Sequence, residues 1–282
     1  MKCAWQAYLK LLPLWMQNKV DDLGRDILQE LRLRVGRPVE LVTLRGCVFL
    51  ERVVVEDDLM FCINVASNYS PWVSSTTKSG YITAHGGHRV GICGNAVVKN
   101  GKVQTITEFT SLCIRVARDF PGIAMQTSCY KGSTLILGSP GRGKTTLLRD
   151  VVRGKSNHEG QAVAVVDERG EIFPVVDGEF CFPPGIRTDI LTGCSKSEGI
   201  EILIRTMNPR WIAVDEITAE EDTNAILRAA VCGVEILATA HAENIEDLLC
   251  RPVYRPLIEQ HLFKNIIVMN SDKSWTLERI NI

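Results

Sequence analysis

The chain has 282 residues, of which 45% are hydrophobic and 23% are charged, as in a soluble globular protein with one large or two modest domains. Its 32 basic and 33 acidic residues leave a formal charge of −1, which argues against general affinity for nucleic acid or for an acidic membrane surface. The ten cysteines include no CxxC pair and no zinc-ligand spacing, so we expect reduced thiols in the core.

The N-terminal stretch 1–17 is apolar, but Lys2, Lys10 and Pro13 interrupt it. It lacks the uninterrupted apolar core of a signal peptide. No apolar run in the chain approaches the ~20 residues of a membrane span, so no direct membrane span is expected. We predict a helix that packs on the protein or on a partner, with a membrane-surface helix as the alternative.

The next segments indicate a small α+β domain. Residues 21–35 have helical spacing that becomes extended near the break at 36–38, and residues 39–55 alternate like two strands around the turn Arg45-Gly46. Residues 57–68 return to helical spacing, and Pro71 is expected to end the exit from that helix.

Strand patterns complete this first domain. Residues 80–94 predict a strand, a glycine turn and a second strand, and Asn100-Gly101 predicts a hairpin turn. Further strands are expected at 96–98, 102–106 and 112–116.

From residue 131 onward, short apolar strands alternate with helical patterns, which is typical of a mainly parallel sheet covered on both faces. The predicted strands are 134–137, 162–166, 211–214 and 234–239, and the predicted helices are 144–153, 197–207 and 220–231. Residues 263–269 and 275–280 predict a closing hairpin, and the proline- and glycine-containing stretch 171–196 predicts a long loop. We therefore predict an α/β chain with domains at 1–130 and 131–282.

The segment 138–145, GSPGRGKT, fits the phosphate-binding pattern GxxxxGK[ST] and lies between a predicted strand and a predicted helix. Lys144 is expected to reach the β- and γ-phosphates of a nucleotide, and Thr145 to ligate Mg²⁺. Arg142 either adds charge beside the phosphates or faces solvent. The predicted nucleotide-binding residues are Gly138, Ser139, Pro140, Gly141, Arg142, Gly143, Lys144, Thr145 and Thr146.

Two predicted strands end in an Asp-Glu pair. A P-loop ATPase needs an acid at a neighbouring strand end for Mg²⁺ and a base that orients the attacking water. We assign Asp215 to the metal and Glu216 to the water. Asp167 and Glu168 also follow an apolar strand. Glu168 is therefore a second candidate for the base, and Asp167 is a second candidate for the metal.

His241 follows the apolar strand 234–239. Alone, a histidine in this position is usually structural. The P-loop and both Asp-Glu pairs also follow strands, and the carboxyl ends of parallel strands line one ligand crevice. His241 is therefore a candidate phosphate sensor at the same sheet edge, with Thr239 supporting its position.

In chain order, the P-loop, the two Asp-Glu ends and the sequence ATAH at 238–241 resemble the Walker A, Asp-box, Walker B and His-box segments of secretion-type P-loop ATPases. That branch includes type II secretion and type IV pilus motors. Within it, the chain is similar nearly end to end to the stage III sporulation protein AA family. The matching segments are 33–38, 87–92, 111–118, 143–150, 166–169, 187–189, 205–209, 214–217 and 239–241.

The resemblance implies a RecA-like ATPase domain after a small N-terminal domain, with ATP and Mg²⁺ as its ligands. It implies a ring, as a hexamer, with nucleotide between the two domains. It also implies an ATPase that powers or assembles a transenvelope channel from the mother cell to the forespore during sporulation. Its site of action would be the mother-cell cytoplasm, peripheral to the membrane through an inner-membrane channel or secretion-system partner. Arg89, Arg115 and Arg118 lie in matching segments, so they are candidate arginine fingers or sensors, with surface salt bridges as the alternative.

The chain departs from the family pattern in a few places. Thr218 and Ala219 stand where glycine and a basic residue are expected, Cys113 where asparagine is expected, and Gly170 where serine is expected. Two other functions compete with the secretion motor. One is a nucleic-acid-associated P-loop ATPase, which the absence of a basic stripe disfavours, and the other is a nucleotide-gated scaffold with little turnover, which the two intact acid pairs disfavour.

Overall fold

The computed structural model describes residues 1–69, 78–127, 130–157 and 160–278. The expected helix exit at Pro71 lies outside these residues. The chain forms two compact units. Unit 1 comprises Met1–Asp119 and Pro174–Phe182, and unit 2 comprises Phe120–Phe173 and Pro183–Ile282. Residue 130, where we expected the boundary, therefore lies within unit 2, and a short segment from the later half of the chain belongs to unit 1.

Unit 1 is built on a six-stranded antiparallel sheet with the strand order β3-β2-β1-β6-β5-β4. Its buried core joins the sheet to helices through residues such as Tyr8, Leu31, Ile63 and Ile114. The elements are α1 (Trp5–Lys10), α2 (Leu14–Leu23), β1 (Leu28–Arg34), β2 (Pro38–Thr43), β3 (Gly46–Val53), α3 (Glu56–Ala66), β4 (Tyr81–Thr83), β5 (Arg89–Lys99) and β6 (Lys102–Arg115).

The helix predicted from residue 21 is wrong beyond Leu23. Gly24 ends α2 with a φ of 78°, and the chain then enters β1. In this strand Leu31 and Leu33 are fully buried, whereas Arg32 and Arg34 are not. This period of two fits a strand that pairs with β2 and β6, so the tertiary pairing overrides the helix propensity of the leucines and arginines.

The hairpin at Asn100-Gly101 is confirmed, with φ values of 53° and 71°. The strands predicted separately at 96–98 and 102–106 are parts of the longer β5 and β6. At the N-terminus, α1 buries Trp5, Tyr8 and Leu9, which matches a helix packed on the protein itself. None of the helices in the described part of the chain is both long and apolar enough to cross a membrane.

Unit 2 contains a seven-stranded sheet with the order β11-β8-β12-β13-β7-β14-β15. All neighbours are parallel except the last pair, which is antiparallel. This mainly parallel sheet agrees with the prediction. The elements are β7 (Thr134–Leu137), α4 (Lys144–Asn157), β8 (Val163–Asp167), β11 (Thr188–Thr192), α5 (Lys196–Met207), β12 (Trp211–Val214), α6 (Glu220–Val231), β13 (Glu235–Ala240), α7 (Ile245–Leu249), α8 (Arg255–Glu259), β14 (Asn265–Met269) and β15 (Trp275–Glu278).

The predicted loop 171–196 contains three strands. β9 (Val175–Val176) and β10 (Glu179–Phe180) form a two-stranded sheet within the segment that belongs to unit 1. β11 is the edge strand of the large sheet and pairs with β8 from Thr188 to Thr192. None of its five residues is buried, and its two threonines and its aspartate interrupt the apolar run that marks the central strands.

The nine cysteines within the described residues are free, and Cys62 is buried as expected. The expectation of core thiols is wrong for four others. Cys47, Cys93, Cys232 and Cys250 are exposed, and Cys232 caps the C-terminus of α6, where an apolar neighbourhood in the sequence does not produce burial.

A buried histidine makes the stability of unit 1 depend on pH. The His88 ring is fully buried. The Ala117 N–H donates to Nδ1 at 3.0 Å, and Nε2 lies 3.0 Å from the Ala4 carbonyl oxygen. Because Nδ1 accepts and the carbonyl can only accept, the ring is neutral with its hydrogen on Nε2. Burial lowers the pKa of His88 from 6.5 to about 4.

Lowering the pH from about 7.5 to about 5 is expected to reduce the unfolding free energy by about 2 kcal/mol through His88. The unfolded ring binds a proton near pH 6.5 and the folded ring near pH 4. The stabilisation is therefore present above pH 6.5 and is lost as the pH falls towards 4. Urea unfolding at both pH values measures the loss. In a His88→Gln protein, the unfolding free energy should fall by about 2 kcal/mol less over the same pH change. An equal loss of unfolding free energy in both proteins contradicts the prediction.

Candidate active site

The loop between β7 and α4 forms a cradle of backbone. Gly141 and Gly143 have φ values of 77° and 95°, which favour glycine. A side chain at Gly138 would place its Cβ 2.9 Å from the Cβ of Met269. The loop leads directly into the N-terminus of α4, where free N–H groups and the helix dipole favour an anion.

Lys144 is a buried cation at the first position of α4, with 5% of its surface exposed. Its Nζ donates to the carbonyl oxygens of Gly138 at 2.7 Å and Ser139 at 3.1 Å, and lies 3.0 Å from Nδ1 of His241. Burial lowers the pKa of Lys144, and the carboxylates of Glu216 and Asp215 oppose the shift. The ammonium is thus held by neutral partners, which an anionic ligand can replace.

Asp215 follows β12, and two hydroxyl groups hold its carboxylate. Thr145 Oγ1 donates to Oδ2 at 2.6 Å, and Thr239 Oγ1 donates to Oδ1 at 2.5 Å. The Thr145 hydroxyl and the Asp215 carboxylate are hard oxygen ligands that fit Mg²⁺, which commonly takes one or two carboxylates from a protein and keeps its other positions for water and phosphate. Within the described residues, no cluster of three or more His, Cys, Asp or Glu side chains could hold a metal ion.

Glu216 has a left-handed backbone, with a φ of 53°, which costs a non-glycine residue about 1–2 kcal/mol. Thr239 stabilises this conformation. The Glu216 N–H donates to Thr239 Oγ1 at 2.8 Å, and the next residue, Ile217, donates its N–H to the Thr239 carbonyl oxygen at 3.0 Å. One fully buried threonine therefore places both acids at the end of β12.

His241 connects the P-loop lysine to Glu216. Its Nε2 lies 2.8 Å from Glu216 Oε1, and Nδ1 faces Lys144. Because an ammonium can only donate, Nδ1 must accept, and the ring hydrogen is on Nε2 and points to the glutamate. Arg169 Nη1 lies 3.8 Å from the second oxygen of Glu216. The three side chains Lys144, His241 and Glu216 form one continuous hydrogen-bonded row.

The second Asp-Glu pair makes different contacts. Asp167 is buried and accepts the backbone N–H groups of residues 171, 172 and 173 at 2.8, 3.0 and 2.8 Å. Burial raises the pKa of Asp167, and the N–H groups from Phe173 and Ile172 oppose the shift. The three amides hold its carboxylate against the loop after β8, in the lining of the cleft that also contains Asp215 and Glu216.

Glu168 is paired with a buried lysine. Its Oε2 lies 2.5 Å from Nζ of Lys196, which is also 3.8 Å from Asp222. Glu168 lines the same cleft as Asp167, Asp215 and Glu216, but its carboxylate is already paired with the neighbouring ammonium. The two Asp-Glu pairs, alike in sequence, therefore differ in surroundings.

The three predicted unit 1 arginines make contacts within that unit. The Arg89 guanidinium lies 3.7 Å from the centre of the Tyr81 ring, Arg115 Nε lies 3.3 Å from Glu30 Oε1, and Arg118 donates to the carbonyl oxygens of residues 25 and 28. Their role toward phosphate stays a prediction.

The remaining P-loop positions lie where the pattern places them. Ser139, Pro140 and Arg142 are in the cradle, and Thr146 is in the first turn of α4. Arg142 lines an open cleft with Asn244 and with residues of the turn after β14.

Several polar residues near the site were not predicted from the sequence. Lys196 gave no signal, because a lysine at the start of a helix is ordinary. Arg149 and Asp150 were detectable as charges on the buried face of α4. Arg149 donates to the carbonyl oxygens of residues 171 and 172 at 3.0 and 2.5 Å. Asp150 accepts the N–H groups of residues 122 and 124.

Thr239→Val is expected to lower the unfolding free energy by about 1–3 kcal/mol, because it keeps the shape but leaves a buried Glu216 N–H without an acceptor. Thr239→Ser keeps the hydroxyl, and its loss of unfolding free energy should be less than half of that in Thr239→Val. Urea unfolding of the two variants measures the difference, and equal losses contradict the role of the hydroxyl.

The chain matches the family model described as sporulation stage III, protein AA, over residues 10–279. It is 37% identical over 277 residues to stage III sporulation protein AA of Bacillus subtilis strain 168, covering 94% of this chain and 90% of that protein. It is also 27% identical over 260 residues to protein SEEDLING PLASTID DEVELOPMENT 1 of Arabidopsis thaliana, covering 89% of this chain and 36% of that protein.

Two solved structures have a similar fold. The ATPase DotB of Legionella pneumophila matches with a TM-score of 0.62 and 16% identity, over 95% of this chain and 80% of that one. The pilus retraction motor PilT with bound ADP matches with a TM-score of 0.62 and 16% identity, over 96% of this chain and 84% of that one. At this identity, the likeness concerns the α/β fold alone.

Proposed function

Because this chain belongs to the stage III sporulation protein AA family, we propose that it binds Mg-ATP at the loop between β7 and α4 and hydrolyses it. One observation carries the proposal. The row Lys144–His241–Glu216 and the pair Thr145–Asp215 meet at the carboxyl edge of one parallel sheet, beside a P-loop cradle. These are the groups that phosphoryl transfer to water needs.

Each side chain has a role in the proposal. The backbone N–H groups of residues 138–146 and the Lys144 ammonium bind phosphate oxygens. Thr145 and Asp215 hold Mg²⁺, which when bound supplies positive charge beside the β- and γ-phosphates. Asp167, which accepts three backbone N–H groups of the loop after β8, is the second candidate for the metal.

Glu216 is the proposed base that orients and deprotonates the attacking water. It lies next to the Thr145–Asp215 pair, and the His241 Nε2–H fixes the position of one of its oxygens. Glu168 is a weaker candidate, because its carboxylate is engaged by the ammonium of Lys196 at 2.5 Å.

His241 is the proposed sensor of phosphate. Phosphate oxygens compete with the Gly138 carbonyl and with His241 Nδ1 for the hydrogens of Lys144. When Lys144 turns to phosphate, Nδ1 loses its donor, and the hydrogen-bond row to Glu216 changes. The occupancy of the P-loop is thereby coupled to the position of the base.

We further propose that unit 2 is a RecA-like motor domain and that the chain works as a homo-oligomer, a hexamer, with Arg89, Arg115 and Arg118 as arginine fingers or sensors. The named activities of DotB and PilT, an ATPase and a pilus retraction motor, support a secretion-type motor. The Bacillus subtilis relative supports a role in sporulation. In this proposal the protein acts in the mother-cell cytoplasm and serves a transenvelope channel through an inner-membrane partner protein.

Phosphate release from Mg-ATP tests the proposal. The full chain is assayed over about a hundredfold range of protein concentration, with EDTA as the control. We expect turnover that requires Mg²⁺ and that rises per subunit as the protein concentration rises, because assembly completes the site. Binding of ATP with no phosphate release at any concentration contradicts hydrolysis and favours a nucleotide-gated scaffold. Release that is constant per subunit contradicts the role of assembly.

A further inference from the structure

An open cleft lies beside the P-loop, between the segment that follows His241 and the turn between β14 and β15. It is lined by Ser139 and Arg142 of the P-loop, by Asn244, and by Asn270, Ser271 and Asp272 of the turn between β14 and β15, among others. None of these residues takes part in the row from Lys144 to Glu216. Apart from the P-loop pattern itself, the sequence analysis assigned them no role.

The sheet order sets the direction in which a bound nucleotide must run. β7, which leads into the P-loop, lies between β13 and β14. His241 follows β13, the acids follow the next strand, β12, and Lys144 turns toward His241. The γ-phosphate end of ATP therefore belongs on the β13 side, so that its nucleoside end leaves the P-loop on the β14 side, where the Asn270, Ser271 and Asp272 end of the cleft lies.

The turn beside the cleft offers a hydrogen-bond acceptor. Asp272 accepts both the N–H and the hydroxyl of Ser274 on Oδ1, at 2.9 and 2.6 Å. These bonds lower the pKa of Asp272, so the carboxylate is charged at neutral pH. Both bonds from Ser274 fall on the same oxygen, Oδ1.

A carboxylate is an unusual neighbour for a polyphosphate, since like charges repel. It is a good partner for sugar hydroxyls, which donate hydrogen bonds that are strengthened by its charge. We propose that this cleft binds the nucleoside of the substrate and that Asp272 accepts hydrogen bonds from the ribose hydroxyls, which makes the site selective for ribonucleotides. The inference rests on the proposed binding of ATP at the P-loop.

Equilibrium binding of three ligands to the full chain with Mg²⁺ tests this role without requiring hydrolysis. The ligands are ATP, 2′,3′-dideoxy-ATP, which lacks both ribose hydroxyls, and inorganic tripolyphosphate, which lacks the nucleoside. The variant is Asp272→Ala. The turn should persist, because Asn270 and Ser274 remain joined by a backbone hydrogen bond of 2.8 Å. Lys273→Ala, in the same turn but outside the lining of the cleft, is the matched control.

The sign of the effect separates hydrogen bonding from electrostatics. If Asp272 acts only through its charge, its removal strengthens the binding of ATP and tripolyphosphate alike. Our proposal predicts that Asp272→Ala weakens ATP about tenfold and does not weaken tripolyphosphate. In wild type, dideoxy-ATP should bind about tenfold more weakly than ATP, and in the variant the two should bind equally. Lys273→Ala should keep the wild-type preference.

Failure of this inference is distinguishable from failure of the proposed function. Wild-type protein that binds neither ATP nor tripolyphosphate overturns both. Wild-type protein that binds both, with ATP and dideoxy-ATP equal, overturns the role of Asp272 and leaves the P-loop site intact. An Asp272→Ala protein that binds ATP as tightly as wild type also overturns the role of Asp272 and leaves the P-loop site intact.

Discussion

Glu216→Gln is expected to lower ATP turnover by at least about 100-fold and to leave the affinity for Mg-ATP within about threefold of wild type. Glutamine has the same size, and its amide oxygen can still accept the His241 Nε2–H that lies 2.8 Å from the glutamate in the native chain. The P-loop and the Thr145–Asp215 pair stay in place, so binding persists. Only the group that takes the proton from water is lost. Steady-state phosphate release and equilibrium binding of ATP measure the two quantities.

Glu168→Gln is the matched control, since it makes the same change at the end of the other Asp-Glu strand. It should keep turnover within about fivefold of wild type. It should instead destabilise the protein, because the side chain of Lys196, 7% exposed, loses the carboxylate 2.5 Å away and retains only Asp222 at 3.8 Å. If Glu168→Gln abolishes turnover and Glu216→Gln does not, the assignment of the base is wrong.

Lys144→Met is expected to weaken ATP binding by at least about 100-fold, and turnover with it. In the nucleotide-free protein, however, the substitution should not reduce the unfolding free energy. Burial lowers the pKa of Lys144 below the unfolded value of 10.5. The unfolded chain therefore binds the proton more readily, and the charged lysine reduces stability at neutral pH. Removing that charge should leave the unfolding free energy of the nucleotide-free protein unchanged or raise it.

Lys155→Met is the control for the other end of the same helix. Lys155 is also buried, but its Nζ donates to the Tyr130 carbonyl oxygen at 2.7 Å and lies 4.6 Å from the centre of the Trp211 ring, so its cation has a structural partner. This variant should lose stability and keep its affinity for ATP. A Lys144→Met protein that binds ATP normally, or one that is clearly less stable than wild type without nucleotide, contradicts the proposed role.

Secondary structure could be predicted from the sequence wherever a local pattern of residues determines it. The P-loop glycines, the buried strands β7, β8, β12 and β13 and the hairpin at Asn100-Gly101 could be predicted, because turn chemistry and apolar runs depend on near neighbours. β1 and β11 could not, since their charged and polar residues become strand residues only through the strands that pair with them.

The site shows the same division. The sequence predicted which strand ends carry acids and that His241 lies among them. It placed Glu216 first and kept Glu168 as a second candidate for the base, because both follow an apolar strand and an aspartate. The distinction comes from contacts with residues far away in the chain. Thr239 and His241 hold Glu216, whereas Lys196 neutralises Glu168 and loop amides occupy Asp167. No spacing in the sequence encodes these partners.

The central claim is that the site defined by Lys144, Asp215, Glu216 and His241 converts bound ATP to ADP. A single-turnover experiment tests it most directly, with assembled full-length protein in excess over radiolabelled ATP and Mg²⁺, because it needs one round of chemistry and no release of product. We predict that wild-type protein converts all the bound ATP to ADP and phosphate, whereas Glu216→Gln retains it intact. ATP recovered unchanged from wild-type protein would contradict the account.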